Sequence, residues 1–362
     1  MTNARFNLAR VTRMCAIAGL LLAPQWQAVP TASADDEPPA LAKYQEQVDK
    51  AVDKALAYLK TQQAADGSFA SGSMKGSTAV TSFAVMAYLA KGHTPGNGEY
   101  GDVINKGIDY ILSQQKKEGM LVGPAPSHGP MYCHTIATLM LSEVSGMVDD
   151  ARQKKIDKVL PVALKIIISA QQVKKPPAQQ GGWRYSPQAV DSDISCSGWA
   201  LMGLRSARGN GAQVPKEAIE QAVKFIMNCR MPDGGFAYQP GGGSGLARTG
   251  TGLLCLELCG RHGDKATTAA GDWILKHLPR NVGEDFFYYG LYYCSQGMFQ
   301  LGGQHYEKWA THMYEMMLKV QKPDGSWPQG AGNEAAPGTC YSTAMTVLAI
   351  SVSYRQLPIY QR

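Results

Sequence analysis

The sequence predicts an all-α protein that folds as a single closed ring of six helical hairpins, an (α/α)6 toroid. Three observations support this fold class. A unit of two helices joined by a glycine-containing turn recurs six times, the two helices of each unit differ in hydrophobic pattern, and the composition of 44% hydrophobic and 18% charged residues suits a large core. A hairpin with one wholly apolar helix cannot bury that helix alone, so neighbouring units must pack side by side.

The repeated unit is clearest in its first copy. A helix over 48–59 leads to Gln62-Gln63, an Asp66-Gly67-Ser68-Phe69 turn and an apolar helix over 81–90. The first helices of the later copies are predicted over 103–112, 156–170, 218–228, 267–277 and 306–320. Their second helices are predicted over 133–144, 196–207, 249–259, 286–298 and 340–352. The fifth copy lacks the Asp-Gly turn.

Each part of the unit has a physical reason. The first helix carries an apolar stripe and a charged face, which predicts an outer position, and the second is apolar nearly all round, which predicts an inner one. The glycine of the turn supplies the positive φ that ends a helix. Successive glutamine positions, Gln62, Gln114 and Gln171, lie 52 and 57 residues apart. Helical solenoids have repeats of ~33–47 residues, so closure into a ring is favoured, with an open solenoid as the alternative.

The N-terminus has the pattern of an export signal. Arg5, Arg10 and Arg13 precede a short apolar run over 14–23, and Ala32-Ser33-Ala34 gives a small-x-small cleavage site. The sequence thus predicts a signal peptide over 1–34, a flexible leader over 35–44, the toroid over 45–355 and a C-terminal tail over 356–362, in a protein exported to the periplasm or outside the cell. No later apolar run reaches the ~20 residues of a membrane span.

Charge gives little reason to expect a nucleic-acid partner. Removal of 1–34 takes away three arginines and no acids, so the net charge falls from +6 to +3, with 32 basic and 29 acidic residues. No basic cluster with interleaved aromatic residues is present in the sequence.

The sixth turn carries a family resemblance. The segment Gln321 to Trp327 resembles the QW motif of squalene and oxidosqualene cyclases, and Gln62 to Phe69 is a looser version. Related repeats occur in the β-subunits of protein prenyltransferases, and the similarity extends over about residues 45–355. The resemblance implies an α/α toroid of the terpenoid cyclase and prenyltransferase type. Such toroids serve cyclases, transferases, glycosidases, polysaccharide lyases and binding domains, so the resemblance alone does not fix the function.

One motif suggests acid catalysis. Asp191-Ser192-Asp193-Ile194-Ser195 resembles the Asp-x-Asp-Asp-Thr motif of class II terpene cyclases, whose middle aspartate protonates an alkene. The resemblance places Asp193 at the acid and Asp191 at the first aspartate, while Ile194 replaces the third. The alternative is that Asp193 and Ser195 cap the N-terminus of the third inner helix.

A second candidate is a zinc site. Met131 to Thr135 and Thr339 to Ser342 resemble the stretches that carry the zinc-binding histidine and cysteine of protein prenyltransferases. The candidate ligands are Cys133, His134, Cys196 and Cys340. Zinc requires three or four converging N or S ligands. The alternative is that the thiols are small core residues and the histidine is an ordinary one.

A third candidate is a pocket lined by aromatic side chains at the start of the inner helices. The candidate ligand-binding residues are Tyr132, Trp199, Arg248, Phe287, Tyr288 and Tyr341. The leading interpretation is binding of an apolar, isoprenoid-like ligand or of a protein partner, with simple packing of the aromatic rings as the alternative for the buried ones. A cyclase-like or zinc prenyltransferase-like enzyme is the second interpretation. The third is a glycan-active enzyme that pairs Asp191 or Asp193 with Glu284 or Asp285.

Overall fold

A computed structural model describes residues 39–69, 72–126 and 129–361. The predicted signal peptide and the first part of the predicted leader lie outside the described residues. The described residues form thirteen α-helices and isolated β-bridges but no named strand. Within this part of the chain, none of the helices is long and apolar enough to cross a membrane. The all-α prediction is confirmed.

The helices alternate between an outer and an inner layer. After the short α1 (Pro39–Ala42), the outer helices are α2 (Gln45–Gln62), α4 (Gly101–Ser113), α6 (Asp150–Gln172), α8 (Lys216–Asn228), α10 (Lys265–Lys276) and α12 (Gly303–Val320). The inner helices are α3 (Thr78–Ala90), α5 (Pro130–Val144), α7 (Ile194–Gly209), α9 (Leu246–Leu258), α11 (Phe287–Leu301) and α13 (Gly338–Ile350). Each inner helix packs on the next, and α13 packs on α3, so the inner layer is a closed ring.

Hydrophobic pattern decides which layer a helix joins. Every residue of α3 is buried, from Thr78 to Ala90, as its nearly uniform apolar sequence requires. By contrast, α2 buries a stripe that includes Val48, Val52 and Leu59, and leaves its charged face in solvent. The predicted assignment of inner and outer helices is therefore confirmed.

The glutamine that ends an outer helix links neighbouring repeats. In three repeats its Nε2 donates one hydrogen bond to the glycine carbonyl of its own turn and one to a carbonyl of the next outer helix. The pairs of acceptors are Gly67 (3.1 Å) and Val103 (2.9 Å) for Gln63, Gly181 (2.8 Å) and Ala218 (2.7 Å) for Gln171, and Gly325 (3.0 Å) and Ala51 (2.7 Å) for Gln321. The last pair joins the sixth repeat to the first. The ring is thus closed by the same contact that joins consecutive repeats.

The turn residues complete this junction. Gly325 has φ +90°, and a Cβ there would lie 2.3 Å from the carbonyl oxygen of Lys54, so only glycine fits against the next outer helix. Trp327, which follows the turn, donates its indole N–H to the carbonyl of Met317 on the preceding outer helix (2.9 Å). Its backbone N–H donates to Thr343 Oγ1 on the inner helix (3.1 Å). One short motif therefore ties three helices together.

Both ends of the described part of the chain also pack onto the ring. Leu41 and Tyr44, at the end of the predicted leader, are buried, and α1 packs on α12. In the predicted tail, Leu357, Ile359 and Tyr360 are buried, and the backbone N–H of Ile359 donates to Glu143 Oε2 near the end of α5 (3.1 Å). The tail thus covers the end of the ring where the inner helices finish, and the opposite end is where they begin.

Candidate functional site

A cavity of about 590 Å3 lies where the inner helices begin. All six inner helices contribute to its wall through residues of their first two turns. One such residue from each helix, in chain order, is Phe83, Tyr132, Trp199, Arg248, Phe287 and Tyr341. The inner helices run in the same direction, so their N-terminal ends lie at the same end of the ring and surround one opening. The fold therefore brings residues from distant parts of the chain to a single site.

Trp199 is the centre of the aromatic wall. Its ring stacks on Tyr292 with centroids 5.2 Å apart and planes inclined by 21°, and it also contacts Phe83 (5.2 Å) and Tyr293 (5.0 Å). The indole is fully buried, and its Nε1 has no hydrogen-bond partner among the described residues. Buried N–H groups usually have an acceptor. The Trp199 Nε1 is thus an enclosed donor without an acceptor in the described part of the chain.

Asp193 is the N-cap of α7. Its Oδ1 accepts a hydrogen bond from the backbone N–H of Cys196 (2.8 Å), as a capping carboxylate does. Its Oδ2 has no hydrogen bond, although Arg184 Nε is 3.6 Å away. Burial raises the pKa of this carboxyl to about 6, while the Cys196 N–H and the Arg184 guanidinium oppose the rise. The carboxyl lies behind the cavity wall and is not among its lining groups.

Asp191, the other residue of the predicted acid pair, is half-buried outside the cavity wall. Its Oδ2 lies 3.5 Å from Arg184 Nη1 and accepts a weak hydrogen bond from Gln239 Nε2 (3.3 Å). Arg184 thus bridges Asp191 and Asp193. The two aspartates form an ion-pair cluster with this arginine, and neither presents a carboxyl to the cavity.

Glu334 caps the N-terminus of a different helix, α11. Its oxygens accept from the backbone N–H groups of Tyr288 (3.0 Å) and Tyr289 (2.7 Å) at the start of α11, and from the Tyr341 hydroxyl (2.8 Å). Burial raises the pKa of Glu334, and these hydrogen bonds oppose the rise. A carboxylate at a helix N-terminus is favoured by the helix dipole. Glu334 also lines the cavity, together with Glu284 and Asp285.

The predicted zinc ligands do not converge. His134 uses both ring nitrogens: Nδ1 accepts from the backbone N–H of Leu121 (3.0 Å), and Nε2 hydrogen-bonds the Ala163 carbonyl (3.1 Å). In the first, third, fourth and sixth repeats a serine or threonine hydroxyl accepts the equivalent N–H, as Thr343 does for Trp327. Burial lowers the pKa of His134 to about 4, so the ring is neutral. His134 therefore has a structural role in the second repeat, where it replaces the hydroxyl group of those four repeats.

The thiols fit the alternative interpretation. Cys133, Cys196 and Cys340 are buried, and the Cys133 sulfur lies 3.8 Å from Ser77 Oγ. Across the described residues, no group of three or more His, Cys, Asp or Glu side chains is placed to hold a metal ion. The residues therefore do not fit zinc, and no chemistry is assigned to it.

Five of the six predicted ligand-binding residues line the cavity: Tyr132, Trp199, Arg248, Phe287 and Tyr341. Tyr288 is not among the lining residues, and its hydroxyl donates to the Pro328 carbonyl (2.6 Å). The lining residues that the sequence analysis did not name include Glu334, Tyr185 and Tyr238. A signal for the two tyrosines was available: each stands two residues after a Gly-Gly-aromatic turn, in Gly-Gly-Trp-Arg-Tyr and Gly-Gly-Phe-Ala-Tyr.

Solved structures with the same fold include two complexes of the type II terpene cyclase MstE from Scytonema. The complex with the product merosterolic acid A has a TM-score of 0.58 at 14% identity, and the complex with the substrate geranylgeranyl dihydroxybenzoate has 0.57 at 13%. Each similarity covers 88% of this chain and 100% of the other. A glycosidase is also similar, with a TM-score of 0.55, 11% identity and coverage of 86% and 98%. At such identities the similarity concerns the fold.

Sequence comparison gives the family. No curated protein matches this sequence. The model of the prenyltransferase alpha-alpha toroid domain matches residues 12–160, 102–284 and 282–359. These segments extend over most of the chain and include every repeat of the ring. The chain belongs to the prenyltransferase alpha-alpha toroid domain family.

Proposed function

We propose that the protein binds an apolar, isoprenoid-like molecule in the cavity at the start of the inner helices. The observation that carries the proposal is the wall of this cavity of about 590 Å3, to which each inner helix contributes a side chain, mostly an aromatic one. The volume is within the ~300–1,000 Å3 that small-molecule sites occupy, and apolar lining with a few polar groups is typical of them. Aromatic rings offer broad apolar faces to an unsaturated chain.

The comparisons support the ligand class. The MstE toroids bind a geranylgeranyl dihydroxybenzoate substrate and a merosterolic acid product, both of isoprenoid type. A small molecule is favoured over a protein partner because the lining residues come from all the inner helices, which makes the site a recess rather than a flat face. Binding is favoured over cyclisation because the Asp193 carboxyl caps α7 and is not part of the cavity wall.

Binding can be tested with phytane, a saturated C20 hydrocarbon delivered from cyclodextrin and detected by native mass spectrometry. We expect a one-to-one complex. Ala247 lines the cavity, so Ala247→Trp should fill it and weaken binding at least about 10-fold. Ala65 is exposed on an outer turn, so Ala65→Trp is the matched control and should bind as the parent does. Absence of a complex with both phytane and the C20 isoprenoid alcohol geranylgeraniol, or equal weakening by both variants, would overturn the proposal.

Catalysis is tested separately by incubating the protein with geranylgeraniol and extracting it for gas chromatography with mass detection. Unchanged geranylgeraniol is the expected result. Cyclisation that begins with protonation and ends with proton loss conserves mass, so an isomer with a new retention time would replace binding alone by a cyclase function.

We further propose that the mature chain acts outside the cytoplasm. The basic residues Arg5, Arg10 and Arg13, the apolar run and the Ala32-Ser33-Ala34 site support export. Mass spectrometry of the protein from cell fractions should give an N-terminus at Asp35 in the periplasmic or secreted fraction. An intact N-terminus in the cytoplasmic fraction would overturn this proposal.

A further inference from the structure

One wall of the cavity carries a pair of tyrosines. Tyr185 and Tyr238 occupy equivalent positions in the third and fourth repeats, both line the cavity, and their hydroxyls hydrogen-bond each other. Tyr132, which also lines the cavity, stacks on Tyr185 with centroids 5.9 Å apart and planes inclined by 26°. Two repeats thus place a hydroxyl pair at one point of an otherwise mostly apolar wall.

The Arg184 guanidinium packs against both tyrosine rings. Its guanidinium carbon lies 4.6 Å from the centroid of Tyr185 and 5.3 Å from that of Tyr238, which is the geometry of a cation–π contact. The same guanidinium faces Asp191 at 3.5 Å and Asp193 at 3.6 Å. Two carboxylates therefore offset its positive charge. Arg184 orders the tyrosines and offers little net charge to a ligand.

The pair can donate to an oxygen atom of a ligand. The two hydroxyls carry two hydrogens, and their mutual hydrogen bond, in which either oxygen can be the donor, uses one of them; when Tyr185 donates, the Tyr238 hydrogen is left for a ligand. Burial raises the pKa of Tyr238, so the hydroxyl stays protonated at neutral pH. An occupant of the cavity with an acceptor oxygen would satisfy this tyrosine hydrogen.

The charged residues of the opening disfavour an anionic head group. Among the residues that the structure describes, three acidic ones, Glu284, Asp285 and Glu334, line the cavity beside a single arginine, Arg248. The Glu334 oxygens accept three hydrogen bonds, which suits the ionised carboxylate. A diphosphate would add at least two negative charges next to these acids, and like charges in a partly buried site repel strongly.

We propose that the ligand is a neutral isoprenoid lipid with an alcohol or carbonyl oxygen, and that this oxygen accepts a hydrogen bond from Tyr238 while the apolar chain lies against Phe83 and Trp199. This inference rests on the proposed function, because it names the class of molecule that the same cavity binds. It distinguishes the ligand from both a plain hydrocarbon and a prenyl diphosphate of the same length.

The test compares three C20 probes: phytane, geranylgeraniol and geranylgeranyl diphosphate. The hydrogen bond from Tyr238 should account for about 5- to 10-fold of the affinity for geranylgeraniol. The diphosphate should bind more weakly than the alcohol. Tyr238→Phe removes the hydroxyl and keeps the ring, so it should reduce affinity for geranylgeraniol by about 5- to 10-fold and reduce affinity for phytane much less.

Phytane is the internal control for folding and for the shape of the cavity. If Tyr238→Phe weakens both neutral probes equally, the tyrosine acts by packing and the inference is overturned. Tighter binding of the diphosphate would overturn it in favour of an anionic ligand at Arg248. If phytane and geranylgeraniol both fail to bind, the proposed function is refuted, and this inference with it.

Discussion

The glutamine that ends an outer helix should couple neighbouring repeats, and a pair of adjacent glutamines allows a matched test. Gln171 is fully buried and donates to the carbonyls of Gly181 and Ala218, whereas Gln172 is exposed. Methionine has nearly the length and helix propensity of glutamine. The substitutions Gln171→Met and Gln172→Met therefore change the same chemistry at neighbouring positions, one inside the junction and one outside it.

The expected magnitude follows from the two lost hydrogen bonds. A neutral hydrogen bond contributes about 1 kcal/mol, and an acceptor left buried without a partner costs ~1–3 kcal/mol. The Oε1 of Gln171 is itself buried without a partner, and its removal offsets part of the loss. Gln171→Met should thus lower the free energy of unfolding by about 2 kcal/mol, near a 30-fold change in the folding equilibrium.

Urea unfolding followed by far-ultraviolet circular dichroism measures this difference. Gln172→Met should unfold within ~0.5 kcal/mol of the parent, as exposed substitutions usually do. If the two variants unfold at the same urea concentration, the glutamine does not hold the repeats together, and the role assigned to Gln63 and Gln321 fails with it.

Three further predictions concern buried polar groups. Burial raises the pKa of Asp193 to about 6 in the folded state, so the folded protein binds this proton more tightly than the unfolded chain does. Stability should therefore fall as pH rises from about 4 to about 6, by on the order of 3 kcal/mol from this group. Asp193→Asn should flatten this fall, and an unchanged pH profile in that variant would contradict the assignment. Glu334→Gln removes the charge-assisted hydrogen bonds to the Tyr288 and Tyr289 N–H groups, so it should lower the free energy of unfolding in urea by ~2–4 kcal/mol. Asp285→Asn changes an exposed carboxylate and should change this free energy little. Equal stability of the two variants would refute the capping role of Glu334. His134→Ala should lower the free energy of unfolding by ~2–4 kcal/mol, because it removes two hydrogen bonds and the packing of the ring. EDTA should leave the melting temperature of the parent protein unchanged. A melting temperature that depends on the chelator would contradict the structural role of His134.

The fold was predictable because the residues that mark each turn make only local contacts. The Gln, Asp-Gly and aromatic residues of one turn, such as Gln321 to Trp327, make their contacts within the turn and with the helices next to it. Each copy could therefore be recognised without knowing where the others lie. The alternation of amphipathic and apolar helices then assigned the two layers.

The site was less predictable because its details depend on helix phase and on distant segments. The third inner helix was expected from Cys196, but it begins at Ile194, which makes Asp193 its N-cap. Tyr288 and Tyr289 are adjacent on α11 and face different ways, so a run of aromatic residues could not show which one lines the cavity. Glu334 caps a helix that begins 47 residues earlier, a contact that the ring creates and that no short pattern records.

Closure of the ring should change how the protein unfolds locally. In a linear array the terminal repeats have one neighbour and fray first. Here the first and sixth repeats contact each other through α3 and α13 and through Gln321 and Ala51, so every repeat has a neighbour on both sides. Releasing any one hairpin must break two interfaces at once. Amide hydrogens of the first and last inner helices should therefore exchange with solvent as slowly as those in the middle of the chain.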